Sequence, residues 1–185
     1  MNNRLKLRRL SRILTFKGVD VYVHWTVLLI VTIFLAGSIR RPLVTAVALA
    51  SYLGVLLIHE CGHVMAAQRM GCKVWSIELY PIYGITRFDT PWSRFDHCVI
   101  AWGGVLAQAT VAVPILMWVA TFGYTPFEAV NSVLAILGFF SLFVAFFNLL
   151  PKTPLDGSIA WGIIPLYIER KRTRRTKRPG GWRTY

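Results

Sequence analysis

Long apolar stretches, broken by short polar turns, dominate the chain. Val21 to Ile39 is almost wholly apolar. About 19 residues at 1.5 Å each give roughly 28 Å, close to the thickness of a hydrocarbon core. Arg40, Arg41 and Pro42 end this run. A second begins at Leu43 and reaches about Met70, interrupted only by His59, Glu60 and His63 before Gly71 supplies a helix stop. A third runs from about Cys98 to Phe122, with Pro114 inside it, and a fourth from about Phe127 to Leu150. Proline is tolerated in a membrane helix and can kink it. Leu155 to Ile168 is apolar too, but about 14 residues with Gly162 and Pro165 inside suit a half-inserted or interfacial helix better than a span.

Residues 72 to 97 follow another pattern. The stretch from Lys73 to Arg87 is rich in β-branched and aromatic residues, with turn-prone Pro81 and Gly84. Strand-like or re-entrant structure is expected there. The predicted fold class is therefore an all-α membrane protein with about four transmembrane helices and a short half-inserted C-terminal helix. A small β-hairpin or re-entrant segment lies between spans two and three. Residues 1–20 form a basic cytoplasmic N-terminal segment, 21–168 a membrane domain, and 169–185 a basic tail expected to be disordered.

Composition agrees: 55% of residues are hydrophobic and 16% charged, which excludes an ordinary soluble domain. The net charge of +13 matters chiefly through its placement. Arg4, Lys6, Arg8, Arg9, Arg12 and Lys17 precede the first apolar run. Arg170, Lys171, Arg172, Arg174, Arg175, Lys177, Arg178 and Arg183 follow the last. Beside such runs, basic flanks mark cytoplasmic segments facing an anionic leaflet, and no nucleic-acid partner is expected. With the N-terminus inside, Arg69, Lys73, Arg87 and Arg94 fall in the cytoplasm, and the turn from Thr121 to Glu128 outside. A basic stretch this long, before an apolar run that spans a bilayer, does not read as a signal peptide. Cys61, Cys72 and Cys98 show no paired spacing, so a disulfide framework is not expected.

His59-Glu60-Cys61-Gly62-His63 carries the chemistry. Histidines at i and i+4 share one helical face, so both imidazoles can reach one Zn²⁺ at about 2.0–2.1 Å. Glu60, about 100° round the helix, can take a proton from water activated by that ion. A solvated helix face would be the bland explanation in a soluble chain. Here about 16 apolar residues, roughly 24 Å of helix, precede His59 in its span. A Glu and two His at such depth cost several kcal/mol unless partners or a metal compensate.

A third ligand is needed, and outside the motif the acids and histidines are His24, His97, Asp20, Glu78, Asp89, Asp96, Glu128, Asp156 and Glu169. Topology removes Glu128. Asp156 is favoured by its place directly after span four, behind the turn Pro151-Lys152-Thr153-Pro154. An N-cap of the following short helix explains Asp156 equally well. His24 beside Trp25 reads as an interfacial pair, and the tryptophans as aromatic belts.

The segment Asn148-Leu149-Leu150-Pro151-Lys152-Thr153-Pro154-Leu155-Asp156-Gly157 resembles the NLLPxxPLDG segment of the site-2 protease (M50) family of intramembrane zinc metalloproteases. The HExxH on a membrane helix, one span earlier, matches that family's other signature. Tyr80-Pro81-Ile82-Tyr83-Gly84 resembles its membrane-associated hairpin. Gly103-Gly104-Val105-Leu106-Ala107-Gln108 is similar to its small-residue helix motif, with Gln108 where Asn is usual. The resemblance covers roughly residues 20 to 160. It implies one zinc per chain on His59, His63 and Asp156, with Glu60 as general base. It also implies that Asn148, Tyr83 and Gly84 bind substrate, the segment Tyr80 to Thr86 pairing with an unwinding substrate helix. The expected enzyme hydrolyses a peptide bond in or near a transmembrane segment of another membrane protein, in the cell membrane near its cytoplasmic side. Two alternatives are a zinc-binding but proteolytically inactive membrane scaffold or adaptor, and a membrane zinc protease whose third ligand is a Glu.

Overall fold

The structure, a computed structural model, describes residues 10–176. Two short strands open the described chain, β1 (Leu10–Phe16) and β2 (Val19–His24). Lys17 and Gly18, both at positive φ, make the two-residue turn between them. Such turns match the twist of antiparallel strands. Then follow α1 (Trp25–Gly37), α2 (Pro42–Arg69), β3 (Val74–Leu79), β4 (Gly84–Phe88), α3 (Arg94–Phe122) and α4 (Glu128–Asn148). A π-helical stretch, Ala135–Phe140, lies inside α4. Two further helices, α5 (Gly157–Ala160) and α6 (Ile163–Thr176), end it.

Among the described residues, three helices are long and apolar enough to cross a membrane: α2, α3 and α4. The expected first span is corrected. Val21 to His24 belong to β2, which leaves α1 only 13 residues, about 20 Å, short of the roughly 30 Å core. The reason is a period-two pattern. Val19, Val21 and Val23 alternate with Asp20, Tyr22 and His24, and Val19 and Val21 are buried with Ile77, Leu79, Leu56 and Val64. Burying those valines against α2 outweighs extending an apolar helix by one turn.

The expected hairpin, β3–β4, is half of a larger sheet. All four strands pair in the order β1-β2-β3-β4, with β2 parallel to β3 and the other pairs antiparallel. The sheet packs on α2, leaving β1 and β4 as edges. Glu78 on β3 is buried and accepts from two of the three guanidinium nitrogens of Arg87 on β4, Nε and Nη2, the latter at 3.0 Å, and Tyr80 O–H donates to it at 3.2 Å.

The segment 155–168 forms two pieces rather than one half-inserted helix, with a turn at Trp161-Gly162. Residues 169–176, expected to be disordered, continue α6, where the Arg170 guanidinium lies 5.3 Å from the Phe95 ring centre. Glu, Lys and Arg are good helix formers, so a basic sequence does not by itself end a helix. The rest of the tail, 177–185, and residues 1–9 of the N-terminal segment lie outside the described residues.

Candidate metal centre

α2 and α3 cross at two glycines. A Cβ on Gly62 would stand 2.2 Å from the Gly103 carbonyl oxygen, and one on Gly103 would stand 2.6 Å from the Gly62 oxygen. Only backbones without side chains approach so closely. The crossing brings the next residue, Gly104, against both histidines. A Cβ there would lie 2.6 Å from His59 Cε1 and 2.7 Å from His63 Nε2.

α3 also fixes the imidazoles. His63 Nδ1–H donates to the Ile100 carbonyl at 2.8 Å. A carbonyl only accepts, so the Nε2 lone pair must face the other way. His59 Nδ1–H donates to the Gln108 amide oxygen at 2.9 Å, with Gln108 fully buried. Both Nε2 atoms therefore point to one place and stand 3.0 Å apart.

Asp156 meets them there. Its Oδ2 lies 2.9 Å from His59 Nε2 and 3.3 Å from His63 Nε2. The N-cap alternative is set aside: Asp156 has helical angles (φ −59°, ψ −32°) and its side chain caps nothing. Two neutral imidazoles and one carboxylate suit Zn²⁺, and ligands about 2.0–2.1 Å from a tetrahedral ion are about 3.3 Å apart. The observed 2.9–3.3 Å separations fit such a donor set. His59, His63 and Asp156 are the one group of metal-competent side chains among the described residues.

The other acids and histidines are engaged elsewhere. Asp20 holds Arg12 and Thr15, Asp89 holds the Trp75 indole, Asp96 the Ser93 hydroxyl, and Glu128 pairs with Arg41. Glu78 has Arg87. Glu169 lines a separate cavity with Arg94 and Arg170. His24 caps α1 through Thr26 and stacks on Tyr80, and His97 lies edge-on to Phe88.

Glu60 faces the sheet instead. It is buried, and Thr86 of β4 donates to its Oε2 at 2.7 Å. Gly84 makes room for it, since a Cβ there would stand 2.4 Å from Glu60 Cγ. Of the three residues expected to bind substrate, Gly84 is therefore beside Glu60. Tyr83 is exposed on the turn, stacked on Tyr80 at 4.9 Å, and Asn148 is half-buried at the end of α4. Lys152 is exposed. Sequence reasoning did not find Gln108, Ile100 or Thr86 as partners of the motif. Their separations of 49, 37 and 26 residues leave no local pattern to read.

No family model matches the chain. Among curated proteins it is 30% identical over 158 residues to the "Putative zinc metalloprotease Rip3" of Mycobacterium tuberculosis, covering 76% of this chain and 39% of that protein. It is 26% identical over 151 residues to a zinc metalloprotease of Methanocaldococcus jannaschii, covering 79% and 42%. The chain thus spans about two fifths of these relatives' length, and 30% of a third relative, from Synechocystis. In fold it is similar to the site-2 protease from Methanocaldococcus jannaschii, with a TM-score of 0.62 and 23% identity over 88% of this chain and 73% of that one. The chain thus brings its HExxH and PLDG side chains together on a fold similar to that of a site-2 protease, and in sequence it is similar to proteins named as zinc metalloproteases.

Proposed function

We propose that the chain is an intramembrane zinc metalloprotease that cleaves a peptide bond in or near the transmembrane segment of a membrane-protein substrate. The observation that carries this is the convergence of His59 Nε2, His63 Nε2 and Asp156 Oδ2, with the neighbouring Glu60 held apart for other work. Those three side chains would hold one Zn²⁺. When bound, the ion supplies a Lewis acid that polarises the scissile carbonyl and makes water acidic enough to deprotonate near neutral pH.

Glu60 accepts the proton of the attacking water and delivers it to the departing amine nitrogen as the C–N bond breaks. Thr86, donating to one carboxylate oxygen, leaves the other free for that proton. β4, an edge strand that begins beside Glu60, offers unpaired N–H and C=O groups to an extended substrate. A substrate helix must unwind before its peptide bond is reachable, and strand addition replaces the hydrogen bonds it gives up. Asn148 would bind a substrate backbone group, and Tyr83 would flank the strand. The distribution of Lys and Arg favours a site near the cytoplasmic side of the cell membrane. The bilayer and a single-span helix are the partners this requires.

The test is cleavage of a single-span substrate by the purified chain reconstituted in lipid. Glu60→Gln should abolish cleavage while zinc stays near one equivalent. Turnover by that variant at the wild-type rate would sink the proposal. Zinc binding without turnover of any membrane substrate would favour the scaffold alternative.

A further inference from the structure

Asp156 is the one member of the candidate centre that no long helix carries. It sits at the start of the four-residue α5, behind the irregular turn 149–155. So short a helix cannot hold its own place, because nucleating one turn is unfavourable in isolation. Something else must set the reach of this carboxylate.

The contacts of α5 lead to one face of α3. The Trp102 indole N–H donates to the Ala160 carbonyl at 3.0 Å, and the Cys98 thiol contacts the Ile159 carbonyl at 3.1 Å. Residues 98 and 102 are one helical turn apart. In turn, the Ile159 and Ala160 amides donate to the Asp156 carbonyl at 2.9 and 2.8 Å. The Trp161 indole donates to the Leu149 carbonyl at 2.6 Å, and its ring meets Trp102 edge-on at 5.5 Å. A tryptophan of the aromatic belt keeps its N–H for headgroups and water. Trp102 instead spends it on a carbonyl of the segment that carries Asp156, two residues from Ile100, whose carbonyl orients His63.

We propose that Trp102 is a positioning residue for the metal centre: by holding the Ala160 carbonyl, its indole N–H sets the position of Asp156 over the two histidines. α3 would then orient the aspartate as well as both imidazoles, and the indole N–H is the only donor a tryptophan has for the purpose. The inference rests on the metal site proposed above, and its test separates the two.

The full chain in detergent is titrated with Zn²⁺ against a chelator, and with Co²⁺ to read ligand geometry from the visible spectrum. Trp102→Phe keeps an aromatic ring at this position and removes the indole N–H donor together with the pyrrole half of the ring system. It should weaken zinc binding about tenfold, in the range found for partners of metal ligands. Its Co²⁺ spectrum should shift toward that of Asp156→Ala, with the metal-free thermal midpoint lowered by no more than the loss of one hydrogen bond explains. In an Asp156→Ala background it should weaken binding no further. Wild-type zinc affinity in Trp102→Phe, or an equal loss with and without Asp156, overturns the positioning role. Wild-type zinc binding by Asp156→Ala itself overturns the metal site, and this inference with it.

Discussion

One helix faces two different walls. His59 and His63 on α2 look toward α3, and Glu60, next to His59 in sequence, looks toward β4. The α3 wall is backbone-close, since two glycines permit the crossing and a third borders both imidazoles. The β4 wall is an open strand edge, tied to Glu60 by one hydroxyl and leaving room for it at Gly84. Holding a metal needs fixed atoms, so that side is built from contacts with no slack. Under the proposed function, admitting a substrate strand would need an unpaired edge, and that side is a strand with one free flank. The difference teaches where the chain tolerates change: hardly at all on α3, and by degrees on the sheet.

The largest effect should come from adding one methyl on the tight side. Gly104→Ala places a Cβ 2.6 Å from His59 Cε1, so an imidazole or the helix must move. Misplacing reactive groups by about 1 Å costs about 10²-fold in rate. Zinc per chain, measured after desalting, should fall together with cleavage. Full zinc loading in this variant would show that the α3 wall has slack after all.

Gln108→Leu probes the same wall more gently. It removes the acceptor for His59 Nδ1–H without altering the crossing. A loss of about 10- to 100-fold in zinc affinity is expected, from chelator competition, with Gln108→Glu retaining or strengthening binding. If Leu and Glu behave alike, orientation of His59 by residue 108 is not what holds the metal.

Across the cleft, Thr86→Val should leave zinc untouched. Without its hydroxyl donor, Glu60 loses its orientation, and kcat should fall about tenfold at nearly constant KM. Thr86→Ser should recover most of it. A zinc deficit in Thr86→Val would mean that the two walls are not separable.

Much of the α3 side was legible in the sequence only at its centre. The i, i+4 histidines declare a shared face, and their depth in an apolar run makes them costly without a partner. Asp156 was nominated by the family segment, and the geometry then set the N-cap reading aside, because its backbone is helical and its side chain caps nothing. Gln108, Ile100 and Trp102 could not be read, since their roles depend on a helix crossing that brings distant turns together. On the sheet side, the hairpin was visible in the β-branched run before Pro81. Its pairing with β2 was not. β2 and β3 are parallel across α1 and α2, and the apolar β2 merges with α1 into one hydropathy run. Only the alternation of Val19, Val21 and Val23 marks the boundary.

The smallest expected effect lies where the two regions are joined. Tyr52 on α2 donates from its hydroxyl to the Pro81 carbonyl at 2.9 Å, pinning the β3–β4 turn to the helix that bears the motif. Tyr52→Phe removes that hydrogen bond, a change of about 0.5–1.5 kcal/mol, and leaves the ring to pack as before. The metal side does not touch Pro81, so zinc affinity should be unchanged. The start of β4 should become looser, and an extended substrate must then reorder it on binding, which raises KM by a few-fold while kcat stays nearly constant. Steady-state cleavage at several substrate concentrations measures this split. A fall in kcat with KM unmoved would place the Tyr52 contact on the side of Glu60 rather than on the strand proposed to receive substrate.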